Sequence, residues 1–406
     1  MRGTQPLPTL NPEGPKFIAA DQVQILSGAI KVEKLLSPLS LKVLSFLFPE
    51  LPVKGEKRLW DDLLTACSKL LGELREERLT PLIYMQLLQR NQHQKLPPAF
   101  LRELSQDYAS ALKTAARQEK AAGQVIKSFH QAGIDFLLLK GADLRIRLYG
   151  DASLRPMSDL DLLISPRDIS RVRSLLENLG FSLEFTCEKR PGFRQAFGKE
   201  LHFLPPSGDS LMVDVHWEVF GLDHFYYLSF EPLWNKSVLL DFQGIPVRVL
   251  SPEHALIHLC LHTFRDDSLI HLIDLALALR TFPISWPYLL DEVKHFRCPA
   301  PVYLILQAMA QISPVLVPES VLNVLSNYQP SWAEKLVLHR TWGYFTRHFS
   351  DLYHHCTFSE WFFYISSMLW PQRDYLVAIY GKPDRVRFVR QFFKTLFSSA
   401  NNWSPH

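Results

Sequence analysis

Apolar positions along this chain change their spacing twice. From about Val23 to Gly133 they recur with a helical period. Leu59, Leu63, Leu64 and Cys67 fall on one helix face, and Pro98–Ala132 is a long amphipathic stretch that Gly133 is placed to cap. At Ile134 the runs shorten. Phe136-Leu-Leu-Leu139 has the length and apolarity of a buried strand, and Lys140-Gly141 ends it. Ala142 to Tyr149 suits a short helix, and Leu160–Ile164 a second strand. Ser165-Pro166 predicts an N-cap followed by proline at the first helical position, with the helix running to Asn178-Leu-Gly180. Phe181–Phe185, Glu200–Leu204, Leu211–Val219 and Ile245–Leu250 read as further strands. The turn cluster Pro205-Pro-Ser-Gly-Asp209 predicts a hairpin between the second and third of these. After Pro252 the helical spacing returns and continues to about residue 398.

These rhythms predict an α+β protein. A Pro-rich tail at 1–20, expected to be disordered, leads into a helical region at 21–133. An α/β core with a mixed sheet follows at 134–250, and a second helical region at 251–406. A length of 406 residues suits two or three domains, and 47% apolar with 21% charged residues is ordinary globular composition. The net charge of +3 leaves no broad footprint for nucleic acid. Cys67, Cys187, Cys260, Cys298 and Cys356 are odd in number and widely spaced, which predicts free thiols and neither a disulfide framework nor a thiolate zinc site. No signal-peptide core is visible, and no apolar run approaches the ~20 residues of a membrane span. The expected compartment is the cytoplasm. Trp361–Trp370, the most apolar window, reads as a buried helix, with interfacial membrane contact as the alternative. Arg373–Lys394 carries six cations against two carboxylates, with aromatics between them. That reads as a solvated helix face over an aromatic core, with RNA or anionic membrane as the alternative contact.

Candidate chemistry lies in the sheet region. Asp159-Leu-Asp161 opens a strand, so alternation puts both carboxylates on one face, about 7 Å apart. Such a pair can share hard cations. Magnesium takes oxygen ligands and leaves positions for water and phosphate, and a two-metal site can activate a hydroxyl and stabilise departing pyrophosphate. Lys140-Gly141 adds a point charge for phosphate and a position where backbone can approach it. Arg155 can clamp a phosphate or pair with a carboxylate, and Ser158 can orient an aspartate or contact phosphate. In Val213-Asp-Val-His-Trp-Glu218, Asp214, His216 and Glu218 share one face. Asp214 is the natural third carboxylate, as metal ligand and as base toward an acceptor hydroxyl, and His216 is a possible substrate contact. His254, His258 and His262 form a helical stripe. Without a Glu after His258 the zinc-protease pattern is incomplete, which favours cleft lining over metal binding.

Taken together, Phe136-Leu-Leu-Leu-Lys-Gly141, Arg155, Ser158-Asp-Leu-Asp-Leu-Leu-Ile164 and Val213-Asp-Val-His216 resemble the uncharacterised bacterial nucleotidyltransferases of the polymerase-beta-like superfamily. Ser251–His262 and Ile273-Asp-Leu-Ala276 resemble that family's helical part, and the likeness covers roughly 130–280. It implies that Asp159 and Asp161 are the metal aspartates and Asp214 the third acid. Lys140-Gly141 stands where the wider superfamily carries Gly-Ser. It makes His262 the best cleft residue of the helical stripe, with Asp274 able to cap or pair with it. It implies transfer of a nucleotidyl group from a nucleoside triphosphate such as ATP to a hydroxyl, with magnesium or manganese as cofactor. The acceptor is unknown: a small molecule or sugar is favoured, and protein or tRNA is the toxin-like alternative. A non-catalytic nucleotide- or partner-binding module is the reading from another class. A metal-dependent glycosyltransferase also uses Asp-x-Asp, but it needs a larger domain upstream than the helical first third offers.

Overall fold

The computed structural model describes residues 37–50, 67–206, 211–219, 226, 228–266, 268–331, 334 and 357–396. The Pro-rich tail, Leu59, Leu63, Leu64 and Cys356 lie outside these residues. Among the described residues, four α-helices come first: α1 (Pro38–Leu47), α2 (Cys67–Glu76), α3 (Thr80–Gln89) and the 34-residue α4 (Pro98–Gln131). Gly133, just past α4, takes a left-handed φ of +60°, the role its position predicts. The sheet region then runs β1 (Phe136–Leu138), α5 (Lys140–Leu144), β2 (Asp159–Ile164), α6 (Ile169–Asn178), β3 (Ser182–Leu183), β4 (Glu200–Leu204), β5 (Met212–His216), α7 (Phe230–Asn235), β6 (Val238–Phe242) and β7 (Ile245–Val249). Helices follow: α8 (Pro252–Arg265), α9 (Leu269–Thr281), α10 (Trp286–His295), α11 (Pro299–Ile312), α12 (Glu319–Ser326), α13 (Phe358–Leu369), α14 (Arg373–Tyr380) and α15 (Arg385–Leu396).

The α+β architecture is a mixed seven-stranded sheet in the order β3-β4-β5-β2-β1-β7-β6. β2 pairs parallel with β5 and antiparallel with β1, and β1 pairs parallel with β7. β4 and β5 form the expected hairpin. Alternation divides the sheet between two cores. Leu160, Leu162 and Ile164 of β2 and Val213 and Val215 of β5 face a core completed by the C-terminal half of α4 and by α6. Leu163, Leu137 and Leu139 face the larger core built from α1–α3, the start of α4 and α8–α12. The aspartates of β2 share Leu163's side and therefore point toward the helices. A third, smaller core joins Phe193 and Phe197 to α13–α15.

Several elements depart from their sequence pattern. β3 is two residues long because its edge pairs with β4 only at Ser182 and Leu183. The edge strand β6 was not marked by alternation. It follows from Gln243 and Gly244, both at positive φ, which close a two-residue hairpin to β7. α5 passes into a π-helical turn at Arg145–Tyr149 where one helix was expected. Trp361–Trp370 is not a buried helix. α13 buries Tyr364, Ser367 and Met368 and exposes the opposite, equally apolar side.

One ion pair ties the helices to the segment leading into β2. Arg155 Nε and Nη2 donate to Asp274 of α9 at 3.1 and 2.8 Å, and Tyr149 Oη donates to the same carboxylate at 2.6 Å. Asp274 is fully buried, so its charge depends on these donors. Asp274→Ala is expected to lose about 3–5 kcal/mol in urea unfolding, because it leaves a buried guanidinium unpaired. The double variant Arg155→Met/Asp274→Leu should lose less than Asp274→Ala. A single-variant loss below about 1 kcal/mol would show that the pair does not hold the helices to the sheet.

Candidate functional site

Strand register assembles the site. Asp161 of β2 lies directly opposite Asp214 of β5, and in the hairpin His202 lies opposite Asp214 and Glu200 opposite His216. All these side chains stand on the helix-facing side of the sheet. Lys140 Nζ reaches Asp161 Oδ1 at 2.6 Å, and His216 Nε2 reaches the same oxygen at 2.9 Å. His216 Nδ1 is 3.2 Å from Glu200 Oε2, while His202 bridges Glu200 at 3.4 Å and Asp214 Oδ1 at 2.9 Å. Acids and imidazoles thus alternate from Asp161 through His216, Glu200 and His202 to Asp214.

The charges follow from this arrangement. Burial alone would raise the Asp161 carboxyl, but Lys140 and His216 overrule it and hold the group well below the usual carboxylate range. Burial works against a charged His216, yet Asp161 and Glu200 lift it to about 9. Asp214 and Glu200 lift His202 to about 10. Both rings are therefore imidazolium at neutral pH, and His216 donates from both nitrogens. Asp159 behaves differently. Burial, then the neighbouring charge of Asp161, pushes its carboxyl up to about 6, even though the Ser158 hydroxyl bonds to it. Here negative charge is left incompletely balanced.

The turn bearing Lys140 is under local strain. Lys140 sits at φ +45°, an unusual conformation for a residue with a side chain, and its ion pair with Asp161 ties it down. Gly141 packs closely: a Cβ there would meet Met157 Cγ at 3.1 Å, so the Met157 side chain would have to give way by a few tenths of an ångström. The neighbouring loop is held from behind. Gln118 of α4 donates to the Met157 carbonyl at 2.6 Å, and Arg145 donates to the Arg155 carbonyl at 2.7 Å.

A cavity of about 470 Å³ opens beside these residues. Lys140, Gly141, Ser158, Asp159 and Asp161 form one wall. His258 and His262 of α8, His271 of α9, and Glu76, Glu77 and Arg78 at the end of α2 and beyond also line the cavity. Glu77 is fixed by the backbone N–H of Leu269, 3.0 Å away. The His262 ring lies 4.4 Å from that of His271, and its Nδ1 has no hydrogen-bond partner. Burial holds both cavity-lining α8 histidines neutral, His258 down to about 3 with Lys140 adding to the effect.

The predicted site residues are thus distributed as follows. Asp159, Asp161, Lys140, Gly141, Ser158 and His262 line the cavity. Asp214 and His216 sit beside Asp161, outside that lining. Arg155 lines it too, but its Nε and Nη2 are directed at Asp274 and its Nη1 at the Pro156 carbonyl. Asp274 partners Arg155 and Tyr149 rather than His262. His254 turns away to Glu292 at 2.7 Å, so the histidine stripe splits. Among the described residues, the group close enough to share an ion is Asp161, Asp214 and His216, with ligand atoms within 4.8 Å of one another, the ring joining only on giving up a proton. Facing carboxylates at Asp161 and Asp214, with the under-compensated Asp159 beside them, suit a hard divalent cation. Sequence reasoning missed Glu200 and His202. Their signal is the acid-x-His spacing of Glu200-Leu-His202, repeated across the hairpin in Asp214-Val-His216.

A family model described as uncharacterised nucleotidyltransferase matches residues 65–313. The chain belongs to this family. Two solved structures are also similar at low identity. The antibiotic-resistance factor ANT(2'')-Ia, determined in solution, is 14% identical with a TM-score of 0.33 over 45% of this chain and 92% of its own. An antigenic nucleotidyltransferase-like protein from Paracoccidioides brasiliensis is 17% identical with a TM-score of 0.35, over 54% of this chain and 97% of its own. None of the curated proteins matches. No helix among the described residues of this nucleotidyltransferase-family chain is long and apolar enough to cross a membrane.

The neutral His258 gives a signed pH dependence. With a folded value of about 3 and an ordinary value of 6.5, the folded state binds fewer protons than the unfolded chain between those limits. Its contribution is present above pH 6.5 and is lost as pH falls. The stability difference between wild type and His258→Gln, from urea unfolding, should therefore shrink by about 2 kcal/mol from pH 7.5 to pH 5. A difference independent of pH would mean that His258 is not held neutral.

Proposed function

We propose that this chain transfers a nucleotidyl group from a nucleoside triphosphate to the hydroxyl of a small molecule or sugar. The observation that carries the reading is the Asp161–Asp214 register pair. Asp159 is added on the same face, beside Lys140 at the wall of a cavity. Asp159, Asp161 and Asp214 would hold magnesium, which supplies charge neutralisation to the triphosphate and acidifies a bound hydroxyl.

The chain's own residues account for the rest. Lys140 brings a cation to the cavity wall within reach of phosphate oxygens. Gly141 keeps the turn close to Met157. Arg155 acts as a positioning residue that fixes the strand entrance against α9. The acceptor oxygen attacks the α-phosphorus, the bond from that phosphorus to the bridging oxygen breaks, and pyrophosphate leaves. The hydroxyl proton passes to a carboxylate of the cluster. His262, held neutral by burial, lines the same cavity and contacts the acceptor. A cavity of about 470 Å³ has the size of a small-molecule site, which favours a small acceptor over a tRNA or folded protein.

Purified protein given each labelled triphosphate, magnesium and a cell extract should release pyrophosphate and yield a labelled small product. Asp161→Asn and Asp214→Asn should each lower the rate at least about a thousandfold, comparable to losing an electrostatic element of the transition state. His262→Ala should raise KM for the acceptor while leaving triphosphate binding intact. Calorimetry that detects no triphosphate binding would overturn the proposal. A labelled tRNA or protein, with no small product, would replace the acceptor assignment.

A further inference from the structure

Helix α13 is apolar on both sides. Tyr364, Ser367 and Met368 are buried in the small third core. On the other side Phe358, Phe362, Ile365 and Leu369 fall at i, i+4, i+7 and i+11, one helix stripe, and Phe358 and Phe362 are 89% and 70% exposed. Trp370, the residue that caps α13, is 62% exposed at its end, and Val386 of α15 is 73% exposed. Large apolar side chains exposed in a row along one helix mark a contact surface.

Cations border the same face. The Arg385 guanidinium stacks over Trp370 at 4.1 Å. Arg190 donates to Ser366 Oγ at 3.2 Å and to the Trp370 carbonyl at 3.3 Å, which places its charge at the C-terminal end of α13. Arg373, Arg387, Arg390 and Lys394 are exposed on α14 and α15, and Lys382 faces Asp384 at 3.5 Å.

We infer that this face docks on an anionic lipid surface, with α13 and α15 lying in the headgroup plane. α13 has 12 residues, about 18 Å of helix, too short to span a bilayer core of roughly 30 Å. Large apolar side chains on one side, with Trp and Arg at the margin, match an interfacial helix. Nucleic acid would use the cations but has no partner for Ile365, Leu369 and Val386. A symmetric contact with a second copy would set the cationic rim against itself.

The test uses the full chain and co-sedimentation with vesicles of phosphatidylcholine alone or mixed with phosphatidylglycerol. The protein should partition to the mixed vesicles, less at high salt, with affinity falling about fivefold for each of Arg387→Gln and Arg390→Gln. Phe358→Ser/Phe362→Ser should weaken it at least about tenfold. These side chains lie outside every core, and circular dichroism verifies that the variant is folded. Absence of partition, or equal partition to both vesicle types, would overturn the inference. So would a concentration-dependent dimer that the double Ser variant dissolves, or RNA binding that this variant leaves intact. Triphosphate binding is a separate readout, so failure here leaves the nucleotidyl-transfer reading untouched.

Discussion

A carboxylate with almost no access to water stands at the centre of this molecule. Asp161 is 2% exposed, and a charge so placed persists only if cations accompany it. Lys140 and His216 do so, on one oxygen. Their own positions have costs: Lys140 takes a left-handed backbone, and His216 needs Glu200 on its far side. The β1–α5 turn, the β2–β5 register and the β4–β5 hairpin thus converge on a single oxygen atom. A metal ion arriving there would meet a place already held by an ammonium and an imidazolium, so its binding is an exchange rather than a simple addition.

Polar contacts behind the site keep that geometry from relaxing. Gln118 and Arg145 fasten the carbonyls of the loop before β2, and Arg155 with Asp274 fastens the same loop to α9. The sheet wall and the histidine wall of the cavity are therefore parts of one bonded frame. Charged side chains beside a cavity invite assignment as ligands, yet Arg155 is engaged by Asp274 and the Pro156 carbonyl, aligning the surfaces between which a ligand would sit.

The sequence made the strands legible where period and register agree. β2, β4 and β5 were visible because acid or polar residues alternate with Leu, Val and Phe, and the pairing of Asp161 with Asp214 follows from two such strands running parallel. β6 was hidden because Val238 and Leu239 on an edge strand are exposed, so no core-facing alternation marks it. The fate of Arg155 was hidden because its partner lies 119 residues away. The ring of acids and imidazoles was half legible: Asp214-x-His216 stood out, and Glu200-x-His202 acquired meaning only once the hairpin set it opposite. The helical window at Trp361 misled for a simple reason. Apolarity on all sides signals burial in a monomer core, whereas here only one side finds a core.

The long helix α4 serves two masters. Its first turns place Phe100 and Leu104 in the core of the helical region, and its last place Val125, Ile126 and Phe129 under the sheet. Severing the chain between Gly133 and Ile134, where the sequence changes character, would therefore uncover Phe136, Leu138 and Leu162 on one fragment and leave half of a solvent-exposed apolar rod on the other. The two hydrophobic interiors thus share a strut, and α4 belongs to the sheet as much as to the helices that precede it.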